Sequence, residues 1–198
     1  MSITVIVVLA IIAVLFFFVI AVYNRLVALK NRFQNAFSQI EVQLKRRYDL
    51  IPNLVETAKA YMAHERETLE AVTQARNQAL AGLNAAKNAP GDKGAMTQLA
   101  GAENTLAGAL GRLNMVMEAY PDLKASQNMM QLNEELTSTE NRIAFSRQAF
   151  NDSVMEYNTY KQSFPQVVLA PMVGHKDDAS LLEFADSAAI QEAPKVSF

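Results

Sequence analysis

The sequence predicts an all-α protein, with an N-terminal transmembrane helix continuous with an antiparallel four-helix bundle. Three observations point to it. From Met1 to Asn24 there is no acidic or basic side chain, and most residues are Ile, Val, Leu, Ala or Phe. No Gly or Pro interrupts the chain before Pro52, so nothing stops the helix where the composition changes at Tyr23-Asn24-Arg25. Beyond that point apolar residues recur in steps of three and four with charges between them, the signature of helices with one buried face.

The first segment, residues 1–24, reads as the anchor. A helix needs roughly 20 apolar residues to cross a bilayer core of about 30 Å, and residues 3–22 supply them. A signal peptide would carry a basic start, a shorter apolar run and a small-x-small cleavage site. Here Ser2, Ile3 and Thr4 open the segment with no Lys or Arg, and no clear cleavage site follows the run, so the anchor is expected to stay uncleaved. No charge interrupts it, so it is no ion or proton path by itself. Phe16-Phe17-Phe18 point in different directions around the helix and read as lipid-facing bulk. Arg25, Lys30 and Arg32 follow the span. The bias of basic residues toward the cytoplasm predicts a single-pass protein of the inner (cytoplasmic) membrane, N-terminus outside and bulk inside.

Residues 25–164 are expected to form the bundle, with helices at about 25–47, 50–87, 93–119 and 122–164, and residues 165–198 an irregular tail. The first soluble helix carries Leu26, Leu29, Phe33, Phe37, Ile40 and Leu44. Asp49 reads as an N-cap and Pro52 as a first-turn residue of the next helix, which carries Leu54, Ala58, Tyr61, Leu69, Val72, Ala79 and Leu83. Asn88-Ala89-Pro90-Gly91-Asp92 is a turn signal. The third helix carries Leu99, Leu106 and Leu113 at heptad spacing, and Tyr120-Pro121-Asp122 closes it. The fourth carries Met129, Leu136, Ile143, Phe150, Val154, Tyr157 and Phe164, and Pro165 ends it. Short links between amphipathic helices make an antiparallel bundle the natural packing.

Catalytic chemistry finds little support. The chain has two histidines and no cysteine. His64-Glu65 opens like a zinc-protease motif, but Thr68 stands where the second His belongs, and His64 reads as a surface helix residue. Glu-x-x-His is absent, and with it the usual di-iron bundle site. No phosphate loop, Ser-x-x-Lys pair or nucleophile elbow occurs. A non-enzymatic protein with no cofactor or metal is expected.

Three polar features remain. Glu140 and Arg147 fall on the seven-residue repeat of the fourth helix. They read either as solvated residues at the edge of the apolar stripe or as a register pair that is buried with neighbours. Lys45-Arg46-Arg47 would suit anionic lipid or nucleic acid, but residue 46 lies about 35 Å past the membrane end at 1.5 Å per residue. With a Debye length of ~8 Å, that favours a solvated helix-end role, and no nucleic-acid partner is expected. Gly94, Gly101 and Gly108 are seven apart, with Gly111 close to the same face. Each costs about 1 kcal/mol against Ala in a helix, so the line reads as a helix-contact face, within the bundle or between subunits. The end Val196-Ser197-Phe198 is the type of apolar terminus that strand-addition domains capture, and is a candidate partner tail.

Long stretches resemble the LemA family of bacterial membrane proteins: residues 23–33 (YNRLVALKNRF), residues 40–55 (IEVQLKRRYDLIPNLV) and residues 118–125 (EAYPDLKA). Glu140-Asn141-Arg142-Ile143-Ala144, Tyr157-Asn158, Phe164-Pro165 and residues 193–198 (APKVSF) are also similar. Gly174-His175 departs from the pattern, since an aromatic often follows that Gly, and Phe150-Asn151 stands where Tyr-Asn is common. The resemblance implies an N-terminal anchor, a short outward N-terminus and a cytoplasmic helical domain, and some members hint at membrane organisation. Two functional expectations follow. One is a homo-oligomeric scaffold on the lipid bilayer. The other is an adaptor for a membrane-protein partner, such as a protease or signalling component, docked through a bundle face or the tail.

Overall fold

The computed structural model describes residues 2–62 and 64–184. Among them the chain is helical with no strand. Helix α1 is a single helix, Ile3–Lys59, of 57 residues. Ser2 caps it, its side chain accepting from the Thr4 amide. It is followed by α2 (Arg66–Asn88), α3 (Lys93–Met117), the short α4 (Pro121–Lys124), α5 (Gln127–Gln162), the short α6 (Gln166–Leu169) and a 3-10 turn, Ala170–Val173. Asp92 and Ser126 cap α3 and α5 through their side chains.

Helix α1 packs along α5 and against α2, and α2 packs against α3. Arg25 meets Glu156 while Arg46 meets Glu135, so α1 and α5 run antiparallel. Gly82 faces Leu99 while Glu65 meets Tyr120, so α2 and α3 do too. The core runs along α1 from Val22 through Leu26, Leu29, Phe33, Phe37, Ile40 and Leu44 to Ile51, Leu54 and Ala58. Phe150 sits edge-on to both Phe33 and Phe37. The apolar residues before Val22 have no such partners and are exposed along their whole length.

Several predicted boundaries move. The helix expected to end near residue 47 runs on to Lys59, through Pro52. A proline removes the amide that would bond the carbonyl four residues back. That carbonyl belongs to Tyr48, and Arg76 Nε of α2 donates to it at 2.9 Å. The apolar stripe continues through Ile51, Leu54, Val55 and Ala58, so burial keeps the helix going. The break comes instead between Lys59 and Arg66, where Met62 is buried. His64 therefore lies on a turn rather than on a helix. The fourth long helix begins only at Gln127, and Phe164 falls past its end and is exposed rather than part of its stripe.

After the 3-10 turn, residues 174–184 run back along α5 as an extended strap. Leu182 is buried in the core. Asn158 of α5 holds Ala179 by both backbone groups: its amide donates to the carbonyl at 2.8 Å, and its oxygen accepts from the N–H at 2.9 Å. Asn151 holds Leu182 in the same way, at 3.2 and 2.9 Å. The Ser180 amide donates to the Gly91 carbonyl at 2.7 Å. Gly91 has φ +84°, and a Cβ there would stand 3.1 Å from both Phe33 and Ala179, so the α2–α3 turn needs glycine for conformation and for room.

Candidate functional site

The most highly organised polar site lies mid-bundle. Arg47 is buried and joins three helices. Its guanidinium donates to Glu103 of α3, and to Glu140 of α5 at 2.7 Å. The Tyr48 hydroxyl donates to the other oxygen of Glu103. Burial raises the Tyr48 pKa far above the ordinary tyrosine value, so it remains a donor across the physiological range. Glu140 is half exposed and forms the solvent edge of the cluster, whereas Glu103 is fully enclosed. Of the Arg47 nitrogens, both terminal ones face a carboxylate, while Nε has no acceptor among the described residues. The geometry of the cluster suits it to fixing the register of three helices.

The sequence alone groups Arg47 with Lys45 and Arg46 as a solvated helix end. The structure separates the three: Arg47 is inside, Arg46 reaches Glu135 at 3.7 Å, and Lys45 is exposed. The missed signal is the stripe itself. Continuing Ile40 and Leu44 by three or four positions lands on Arg47 and Tyr48, then Ile51. Glu103 went unmarked although it lies between Leu99 and Leu106 on the same face. Glu140 and Arg147 go to different partners: Glu140 meets Arg47, and the Arg147 guanidinium stacks over the Phe184 ring, 4.4 Å from its centroid.

The glycine line is split by the structure. A Cβ on Gly101, Gly108 or Gly111 would meet nothing within 4 Å, and on Gly94 only the side chain of its own N-cap, Asp92. No backbone among the described residues approaches that face, so the described part of the bundle makes no close contact there. The glycine under close approach is Gly82 of α2, whose Cβ would sit 3.3 Å from Leu99 Cα. Val196, Ser197 and Phe198 lie outside the described residues.

One further surface is open. A groove of about 800 Å³ lies between the end of α1 and the start of α2. Ile51, Val55, Met62 and Leu69 form its apolar floor, and Glu56, Lys59, Arg66 and Glu70 its charged rim. At the opposite end, where the bundle meets the apolar part of α1, His175 fills the position where an aromatic was expected. It is buried, with its ring edge-on to Tyr23 and its Nδ1 2.9 Å from the Tyr157 hydroxyl. Burial, then Lys30 and Lys161, push its pKa below the ordinary histidine value. The neutral ring is thus favoured, and its Nδ1 shares a hydrogen bond with the Tyr157 hydroxyl.

Among the described residues no group of three or more His, Cys, Asp or Glu side chains is placed to hold a metal, and one helix, α1, is long and apolar enough to cross a membrane. The model of the LemA family matches residues 36–198. A magnetosome protein, MamQ, of Magnetospirillum gryphiswaldense is 29% identical over 172 residues, covering 78% of this chain and 62% of its own. MamQ 2 of Paramagnetospirillum magneticum matches at the same identity and coverage. The LemA protein of Metamycoplasma hominis is 29% identical over 153 residues, covering 77% of this chain and 65% of its own. The chain thus spans less than two thirds of the length of these curated relatives.

Proposed function

This chain belongs to the LemA family, and from that premise we propose that it is a non-enzymatic membrane scaffold, a single-pass protein whose helical bundle self-associates to organise the membrane or partner proteins. The observation that carries the reading is α1. One uninterrupted helix is exposed and apolar over its first part and the central core element over the rest. A helix of that kind transmits position and orientation between bilayer and bundle without a hinge. The open outer face of α3, with Gly101, Gly108 and Gly111, supports the association of copies, since backbone can approach backbone there. Two relatives named as magnetosome proteins agree with a role at a membrane.

The cytoplasmic membrane is the proposed location, with the bundle inside the cell. Arg25, Lys30 and Arg32 support this orientation, and the pairing of Arg25 and Arg32 with Glu156 does not weaken it, because the rule counts basic residues rather than net charge. A Met115→Cys variant, in a chain that has no other thiol, tests it. A membrane-impermeant maleimide should fail to label intact cells and succeed after permeabilisation.

The decisive experiment is the mass of the full chain in lipid nanodiscs. A homo-oligomer supports the scaffold, and a monomer at every concentration removes it. The groove between α1 and α2 favours a second reading, an adaptor that receives an apolar segment of a membrane-protein partner. A monomer that co-purifies with a stoichiometric partner, lost on Val55→Glu, would select it.

A further inference from the structure

From Gln162 to His175 the chain carries no Asp, Glu, Lys or Arg. This stretch contains α6 and the 3-10 turn, which fold over the end of α5 and against α1. Its inner side is committed: Ala170 is buried, and so is Val22 of α1. Its outer side is apolar and open, with Phe164 84% exposed, Val167 45%, Val168 59% and Met172 78%.

The height of this cap follows from the helix register. Glu156 pairs with both Arg25 and Arg32, so it stands level with about Leu29, midway between them. Helix α5 ends at Gln162, six residues on, which is about 9 Å further toward the N-terminal end of α1. That places Gln162 level with about Tyr23, at the end of the apolar run. Tyr23, edge-on to His175, marks the same level from the other side. The four exposed apolar side chains therefore continue the exposed apolar surface of α1 rather than the polar surface of the bundle. Of the two charges that flank the cap in sequence, Lys161 turns away from it. Lys161 is buried against Asp178 and the Lys176 carbonyl, on the strap side.

We infer that the cap formed by residues 163–173 is a second membrane contact, lying in the headgroup and upper acyl region of the bilayer that α1 spans, with Phe164, Val167, Val168 and Met172 facing lipid. Short apolar elements at this depth bury their faces by roughly 5–10 Å, and the cap has an apolar outer face with uncharged polar residues at its edge, Ser163 and Gln166. Held by α5 on one side and the strap on the other, it restrains the tilt of α1, because tilting would lift the cap out of lipid or drive charged bundle surface into it. The inference rests on the reading of α1 as a membrane span.

The test uses single cysteines in the full chain in nanodiscs, each labelled with an environment-sensitive fluorophore: Val168→Cys and Met172→Cys for the cap, Ile12→Cys for the span, and Met115→Cys for the bundle. Lipid bearing a nitroxide near the headgroup and iodide in the water are the two quenchers. The expected result is loss of fluorescence at positions 168 and 172 with nitroxide lipid and resistance to iodide, while position 115 behaves in the opposite way. Iodide quenching at 168 and 172, with position 12 still reached only from lipid, overturns the cap contact and leaves the span intact. Protection of 168 and 172 from both quenchers also overturns it, since protein then covers the face. Iodide quenching at position 12 removes the span reading and this inference with it.

Discussion

At the scale of single residues, the decisive interactions are those that let α1 pass through places where a helix should stop. Pro52 leaves the Tyr48 carbonyl without its helical donor, and Arg76 supplies one. An unpaired buried acceptor costs about 1–3 kcal/mol, so Arg76→Met is expected to lose about that much stability. In a Pro52→Ala background the helix can donate to Tyr48 itself, and the same change should cost much less. Chemical denaturation of the four proteins in detergent measures the coupling, and equal losses in both backgrounds would sever the link. Arg47 poses a sharper case. Removing one member of a buried ion pair costs about 3–5 kcal/mol, whereas replacing both charges by neutral groups of similar size is near neutral. Arg47→Ala should therefore be severe. Arg47→Met with Glu103→Gln should recover most of the loss, because the new amide oxygen at position 103 still accepts from Tyr48 and Glu140 is free to turn to water. If the double variant is no better than Arg47→Ala, the cluster contributes more than the avoidance of a stranded charge.

At the scale of elements, the strap is held by a matched repeat. Asn151 and Asn158 are seven residues apart on a helix, about 10.5 Å at 1.5 Å per residue. The residues they grip, Ala179 and Leu182, are three apart on extended chain, about 10 Å at 3.3 Å per residue. Each amide side chain offers one donor and one acceptor, as a neighbouring strand would. Replacing both by Leu should release residues 174–184 to fast amide exchange while α1, α2 and α3 keep their protection. Acidification should act on the same element in two steps. His175 has a folded pKa below its ordinary 6.5, so the unfolded state binds more protons, and stability is full above about 6.5 and falls as pH drops below it. Asp178, held below the ordinary 3.8 chiefly by its hydrogen bond from Lys161, contributes stability above 3.8 that is lost as pH falls through its lower folded pKa. Strap exchange measured from pH 7.5 to 5.0 should accelerate, and His175→Phe should flatten the response. The long helices were legible because Leu99, Leu106 and Leu113, or Leu26 to Leu44, repeat at the helical period, and Asn88-Ala89-Pro90-Gly91-Asp92 marks a turn by its own chemistry. The strap was not, because extended chain gripped by side chains has no period. The turn at residues 60–65 was hidden too: Ala, Tyr, Met, His and Glu carry no breaker, and burial of Met62 decides the bend. At the polar site, Arg47 was concealed by its two basic neighbours, although the stripe passes through it.

At the scale of the whole molecule, the outer side of α3 carries three glycines that the described residues do not pack against. Gly101, Gly108 and Gly111 each cost helix stability, and nothing among the described residues uses the space they leave. Two explanations remain distinguishable by energy. If the face is simply idle, Gly108→Ala should raise bundle stability by roughly 0.5–1 kcal/mol, the ordinary helix gain, and Gly108→Leu should do nothing further. If copies meet there, Gly108→Leu should leave the fold intact but lower the mass of the assembly in nanodiscs, because the added side chain holds the two backbones apart. Gly82→Leu is the contrast, since there the new atoms collide with Leu99 and the bundle itself should lose stability. The expected pattern is unfolding for Gly82→Leu and dissociation without unfolding for Gly108→Leu. A Gly108→Leu protein that keeps both its stability and its assembly would move the contact between copies away from α3, toward the apolar first part of α1, where Ile6, Phe17 and their neighbours offer a second exposed apolar surface.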